Sequence, residues 1–254
     1  MKKRILALVL AVIFAAAMTA ACRSQPDDPA EPEDPDDLVI IKGEYISLSA
    51  TELDLSYRDL YDEDILPLTD MPNLKFLKLQ DNQISDLSPL SGLVNLETLT
   101  LEDNQISDLS PLSGLANLIY LDLGKNNITD VTPLSGLVNL QQLLLNDNQI
   151  EDVTPLSGLV NLQRLVLGAN YITDIAPLSG LVNMIILNIG GNQISDLTPV
   201  SGFVDLVHLF LNNNPIDDLS PLAGLSKLEW VILGANPIDD LSPVKHVPDV
   251  WGRP

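Results

Sequence analysis

The chain has 254 residues, 46% apolar and only 4% aromatic, so any core must be aliphatic, and the length allows one large domain or two ordinary ones. Thirteen basic residues stand against 35 acidic ones, and the formal net charge of −22 excludes a nucleic-acid partner by repulsion. A single cysteine excludes an intrachain disulfide.

The first element is an export signal. MKKRILALVLAVIFAAAMTAAC opens with Lys2, Lys3 and Arg4 and continues with an apolar run from Ile5 to Ala17, too short to span a bilayer comfortably. Thr19-Ala20-Ala21 supplies the small residues a peptidase needs, and they end directly at Cys22. This resembles a bacterial lipobox, with Thr19 where Leu is usual. The resemblance implies that residues 1–21 are a lipoprotein signal peptide and that Cys22 carries the lipid. The expected location is then the extracytoplasmic face of a cell membrane, or the medium if Cys22 is not lipidated.

Residues 22–37 are an acidic, proline-rich linker. Pro26, Pro29, Pro32 and Pro35 recur every third residue, the period of polyproline II, with seven carboxylates among them. The stretch has no large apolar residue and cannot form a core. Extended, it reaches roughly 45 Å.

Residues 38–52 read as an N-terminal cap. LVIIKGEYISL (38–48) is expected to fold as a hairpin around Lys42-Gly43 and cover the edge of the first strand after it.

Residues 53–243 are nine copies of one unit, of which NLKFLKLQDNQISDLSPLSGLV (73–94) is typical. The frame L-x-x-L-x-L-x-x-N-x-I, with a period of 22 residues, resembles the leucine-rich repeat signature. Its Asn recurs at Asn82, Asn104, Asn126, Asn148, Asn170, Asn192, Asn214 and Asn236, while the irregular first unit has Arg58 there. L-x-L alternation is a strand with one buried face, and such strands bury their leucines only by stacking. The predicted fold is an α/β leucine-rich repeat solenoid (a horseshoe or superhelix). It has a parallel concave sheet and short 3₁₀ or one-turn helices on the convex side. The Asn residues are expected to form a structural ladder, each donating to carbonyls in the bend and accepting from an N–H of its own turn. In Ser88-Pro89 and its counterparts, Ser or Thr is expected to cap the convex helix, Pro to start it, and Gly92, Gly114 and Gly136 to stop it. Ala176, without a hydroxyl, is expected to be the weakest cap.

The unit N-x-I-x-D-L-S-P-L-S-G-L closely resembles that of the internalins, a group of bacterial surface proteins. The resemblance covers about residues 46–243. Internalins typically follow the repeats with an immunoglobulin-like domain and a wall-attachment region, whereas SPVKHVPDVWGRP follows Leu241 here. The resemblance therefore implies the repeat fold and a protein-binding role, and no particular receptor. Intracellular phosphatase-regulating proteins share the repeat length, but the export signal argues against that setting. Residues 244–254 read as a short C-terminal cap, with Val247, Val250 and Trp251 lidding the last unit.

No catalytic motif is present: His208 and His246 lie far apart, and neither HExxH nor a phosphate-binding loop occurs. Asp86, Asp108, Asp130, Asp152, Asp174, Asp196, Asp218 and Asp240 form one carboxylate per unit. A stack of carboxylates suits calcium, but acceptance of main-chain N–H groups at the turn explains the column better, so no metal or cofactor is expected.

Binding is expected on the concave sheet, at outward positions that differ between units. The third position of the frame reads Glu52, Phe76, Thr98, Tyr120, Gln142, Arg164, Ile186, His208, Trp230, and the fifth reads Asp54, Lys78, Thr100, Asp122, Leu144, Val166, Asn188, Phe210, Ile232. The protein-binding set is Phe76, Tyr120, Leu144, Val166, Ile186, His208, Phe210, Trp230 and Ile232, with apolar side chains gathered on solvent-facing sites of the second half. Phe210 and Trp230 are the expected anchors, and because they face away from the leucines, folding is expected to survive their loss. A competing reading has Trp230 packing under the C-terminal tail. The expected function is a membrane-anchored, non-enzymatic, monomeric scaffold for a protein partner. The alternatives are a secreted internalin-like adhesin for host cells and a calcium-dependent structural protein of the envelope.

Overall fold

The structure, a computed structural model, describes residues 37–252. The signal, Cys22 and the linker up to residue 36 lie outside the described residues.

The chain begins with β1 (Leu38–Ile41) and β2 (Glu44–Ser47), an antiparallel hairpin turning at Lys42-Gly43. Each unit then contributes one three-residue strand: β3 (Glu52–Asp54), β4 (Phe76–Lys78), β5 (Thr98–Thr100), β6 (Tyr120–Asp122), β7 (Gln142–Leu144), β8 (Arg164–Val166), β9 (Ile186–Asn188), β10 (His208–Phe210) and β11 (Trp230–Ile232). The tail adds β12 (Asp249–Trp251), and β3 to β12 form one parallel sheet in chain order. The repeating pattern does produce a leucine-rich repeat solenoid.

Strand register follows the repeat without slippage. Leu77 pairs with Leu99, Leu99 with Leu121, Leu121 with Leu143, and so on to Val231 with Val250. The central residues of β4 to β11 are fully buried, as are the leucines two positions on, such as Leu79, Leu101 and Leu145. A one-residue slip in any strand would turn this row outward, which is why the period holds the register so firmly.

Asparagines lock the bends. Asn148 Nδ2 donates to Leu145 O at 3.1 Å in its own unit and to Leu123 O at 3.0 Å in the preceding one. Its Oδ1 accepts the Ile128 N–H at 3.0 Å. The acceptor contact is thus made with the preceding unit and not with the residue's own turn, because stacking brings that N–H closer than any in the same bend. Each ladder residue stitches two repeats together.

A second asparagine row lies in the loop before each strand. Asn95, Asn117, Asn139, Asn161 and Asn183 each donate to the carbonyl 23 residues back, at 2.8–2.9 Å. Further along, the equivalent residues are Asp205 and Lys227, which pair with each other.

The convex side carries short 3₁₀ turns such as Ser88–Leu90, Thr132–Leu134 and Thr154–Gly158. The Ser or Thr does not cap them. It is already the first helical residue, and the N-cap place belongs to residues such as Leu87 and Val131. The cap is the carboxylate column: Oδ1 of Asp86, Asp108, Asp130, Asp152, Asp174, Asp196, Asp218 and Asp240 accepts the N–H two residues on at 2.7–2.8 Å. An Asp oxygen reaches its own i+2 N–H in an Asx-turn. Ala176 keeps this bond to Asp174, so its missing hydroxyl leaves the main-chain cap intact. Hydroxyl and N–H donors on Ser or Thr hold Asp108, Asp130, Asp152 and Asp196 below the usual carboxylate range.

The glycines do not stop the turns in a left-handed conformation. Gly92, Gly114 and Gly136 are absent from the positive-φ residues of the described chain. The five-residue turn Thr154–Gly158 ends at Leu159, with φ −83° and ψ 56°, an inverse γ-turn in which Val160 N–H donates to Gly158 O at 2.9 Å. The left-handed residue is instead the one before each ladder Asn: Asp81, Asp103, Lys125, Asp147, Ala169, Gly191, Asn213 and Ala235. Lys and Ala are poor choices there. They are held because their N–H is committed to the next unit, as in Lys125 N to Asn146 O at 2.8 Å and Ala169 N to Gly190 O at 2.8 Å.

At the N-terminal end, Ile41 is fully buried against the core. Lys42 Nζ bonds Asp64 Oδ2 at 3.0 Å and Asp59 O at 2.8 Å, and Arg58 pairs with Glu44, which fastens the hairpin to the first unit. At the other end the tail does more than lid the stack: β12 extends the sheet in register with β11, and Val244 and Val247 are buried beneath it.

Candidate functional site

Strand register turns the outward positions into two continuous rows. The third-position row runs from Glu52 on β3 through Phe76, Thr98, Tyr120, Gln142, Arg164, Ile186 and His208 to Trp230 and then Asp249. The fifth-position row runs from Asp54 to Ile232 and then Trp251. Neighbours in a row stand about 4.8 Å apart, so large side chains cover one another.

This covering corrects part of the sequence reading. Leu144 and Val166 are not solvent-facing: they retain 9% and 8% exposure and belong to the wall of the face, not its contact surface. Phe76, Tyr120, Ile186, His208, Phe210, Trp230 and Ile232 are half-buried. Of these, Ile186, His208, Phe210, Trp230 and Ile232 come together on β9, β10 and β11, whereas Phe76 on β4 and Tyr120 on β6 lie apart from them.

The N-terminal half of the face is charged and internally paired. Lys78 pairs with Asp54 at 3.4 Å, and Lys125 pairs with Glu102 at 2.9 Å. Asp122 is buried, which raises its pKa, and its Oδ1 accepts the Gly124 N–H at 3.1 Å. Burial and the neighbouring Asp122 charge push the Tyr120 hydroxyl up to about 12. Arg164 follows two strands on, and its charge acts against both shifts.

The C-terminal half is apolar and aromatic. His208 meets the Trp230 ring edge-on, with centroids 6.2 Å apart, and burial lowers the His208 pKa. On its other side Trp230 stacks against Trp251 at 6.0 Å and 19°. Trp230 is therefore sandwiched between the sheet face and the tail strand, not a free anchor. Trp251, 57% exposed, is the aromatic surface that remains open at this end.

Three buried side-chain polar atoms lack a hydrogen-bond partner among the described residues: Gln142 Oε1, Arg164 Nε and Trp230 Nε1. All lie in the third-position row. Leaving such a group unpaired costs about 1–3 kcal/mol. Gln142 and Arg164 stood in the variable row of the sequence, but nothing in it marked them as unpaired. Beside the strands, a cleft of about 400 Å³ is lined by Gln163, Asn183, Ile185, Asp205, Val207 and Lys227. Among the described residues no group of three or more His, Cys, Asp or Glu is placed to hold a metal ion.

The family model described as Leucine Rich repeats (2 copies) matches residues 72–114, 116–158 and 160–202. The chain belongs to the leucine-rich repeat family. An internalin (inlF) from Listeria monocytogenes is 32% identical over 82% of this chain and 70% of its own, with a TM-score of 0.70. Internalin C2 from the same organism is 38% identical over 75% of this chain and 85% of its own, also at 0.70. This leucine-rich repeat protein is internalin-like. The plant peptide hormone receptor RGFR1, solved in complex with RGF2, shares the fold at 21% identity, covering 85% of this chain and 39% of that one with a TM-score of 0.70. No curated protein matches the sequence. Leucine-rich repeat domains generally bind protein partners, and no catalytic family is indicated for this chain.

Proposed function

We propose that the chain is a membrane-anchored, surface-exposed, non-enzymatic scaffold that binds a protein partner on the sheet face of its C-terminal repeats. The observation that carries this reading is the set Ile186, Phe210 and Ile232: large apolar side chains, half-buried, on adjacent strands at positions the fold does not require to be apolar. The inward leucines already supply the core, so an apolar outward patch has its use in contact with another surface. A photoreactive residue in place of His208, on the patch, should form a covalent protein adduct in producing cells. The same residue in place of Val138, 47% exposed and outside the strands, should not. Adducts of equal yield at both positions, or none at His208, would remove the sheet face as the binding surface.

The anchoring half of the proposal rests on Cys22 following Thr19-Ala20-Ala21. No described helix is long and apolar enough to cross a membrane. Labelled palmitate should enter the wild-type protein and not Cys22→Ala, which should lose its membrane fraction. Unlabelled wild type would refute the anchor.

A further inference from the structure

Native proteins leave few buried polar groups unpaired, and each one calls for an explanation. Here Gln142 Oε1, Arg164 Nε and Trp230 Nε1 fall in one row, on the face whose residues differ from unit to unit. Gln142 and Arg164 are half-buried as whole residues on long, unbranched side chains, whose rotation brings the buried atom to the surface, whereas Trp230 is held between His208 and Trp251. We infer that this row is a recognition strip for an extended segment of a protein partner, laid across β7 to β10 with one carboxylate on Arg164. The inference rests on the sheet face being the binding surface.

The chemistry selects the occupant. Arg164 and the exposed Lys245 form no ion pair among the described residues, whereas Lys42, Arg58, Lys75, Lys78, Lys125 and Lys227 do, and of the two Arg164 alone stands on the sheet face. Its Nε–H and an Nη–H make a planar fork that fits a carboxylate through two parallel bonds. Gln142 is its register partner on β7, about 4.8 Å away, and offers an acceptor to a peptide N–H.

Alternation then sets the side chains. In an extended segment the first, third and fifth side chains face the sheet. With the first a carboxylate on Arg164, the third falls over Ile186 and Phe210 and must be large and apolar. The chain's net charge of −22 disfavours further acids, so the segment carries one carboxylate in an otherwise neutral or basic stretch.

A library of random twelve-residue peptides displayed on phage, panned against the full chain, tests this. The expected selection is an Asp or Glu followed two residues later by a large apolar residue. The synthetic consensus peptide should bind Arg164→Gln at least tenfold more weakly than wild type. Arg164→Lys, which keeps the charge but not the fork, should recover only part of that loss. Circular dichroism confirms that both variants stay folded. Selected peptides without an acid, or equal affinity for Arg164→Gln, would overturn the inference. If no peptide is enriched while the photoreactive residue at position 208 still captures a protein, the extended segment is wrong and the sheet-face reading stands. If both fail, both fall.

Discussion

Asn148→Ala is expected to lower the melting temperature by about 2–12 °C. The side chain donates to Leu123 O and Leu145 O and accepts from Ile128 N. The two carbonyls are shared: Leu123 O also receives Asn126 Nδ2, and Leu145 O also receives Asn170 Nδ2. The Ile128 N–H has only Asn148, so the loss concentrates on one orphaned buried donor. Such a group costs about 1–3 kcal/mol, and each kcal/mol moves the midpoint of a domain this size by about 2–4 °C. Asn148→Asp separates donation from acceptance. It keeps an acceptor for Ile128 but turns a carboxylate toward two carbonyl oxygens, so at pH 7 it should melt below the Ala variant. Those carbonyls favour the protonated acid in the fold and raise its pKa above the unfolded value. The contribution is therefore largest at low pH and lost as pH rises, and the Asp variant should regain stability at pH 4 relative to wild type. Equal melting of all three proteins at pH 7 would sink the ladder as a source of stability.

The period of 22 residues was enough to read the register, because one row of Leu77, Leu99 and their equivalents leaves a single alignment that buries them all. The variable rows followed from the same count. What was not legible depends on distances between units. Asp86 and Ser88 recur together, so the pattern alone could not say which of them caps; the reach of Oδ1 to the i+2 N–H decides. The left-handed position reads Asp, Asp, Lys, Asp, Ala, Gly, Asn, Ala along the stack, too mixed to recognise, because a bond from the next unit imposes the conformation. Leu144 and Val166 looked exposed because strand alternation points them outward, and only the spacing of their neighbours closes over them. Gln142 and Arg164 looked like ordinary polar surface, since an unpaired atom is a property of the surroundings and not of the residue.

Trp230→Ala is expected to destabilise the C-terminal end of the solenoid, contrary to the outward-facing anchor read from the strand pattern. The indole is wedged between His208 at 6.2 Å and Trp251 at 6.0 Å, and through Trp251 it holds the final strand on the sheet. Truncating a fully buried Trp costs about 3–5 kcal/mol. Trp230 is half-buried and one flank is the tail, so about 2–3 kcal/mol is expected here by the same scale, with a lower melting temperature. The chain has only two tryptophans, so Trp251 alone reports in this variant. Without its stacking partner it should emit further to the red, and amide exchange in β12 should quicken while exchange in β5 to β8 stays as in wild type. Phe210→Ala, one strand inward and in neither of these ring pairs, should leave both Trp251 emission and β12 exchange unchanged. If Trp230→Ala instead melts with wild type and Trp251 keeps its emission, the stack does not hold the tail. Trp230 then returns to being a contact residue of the sheet face.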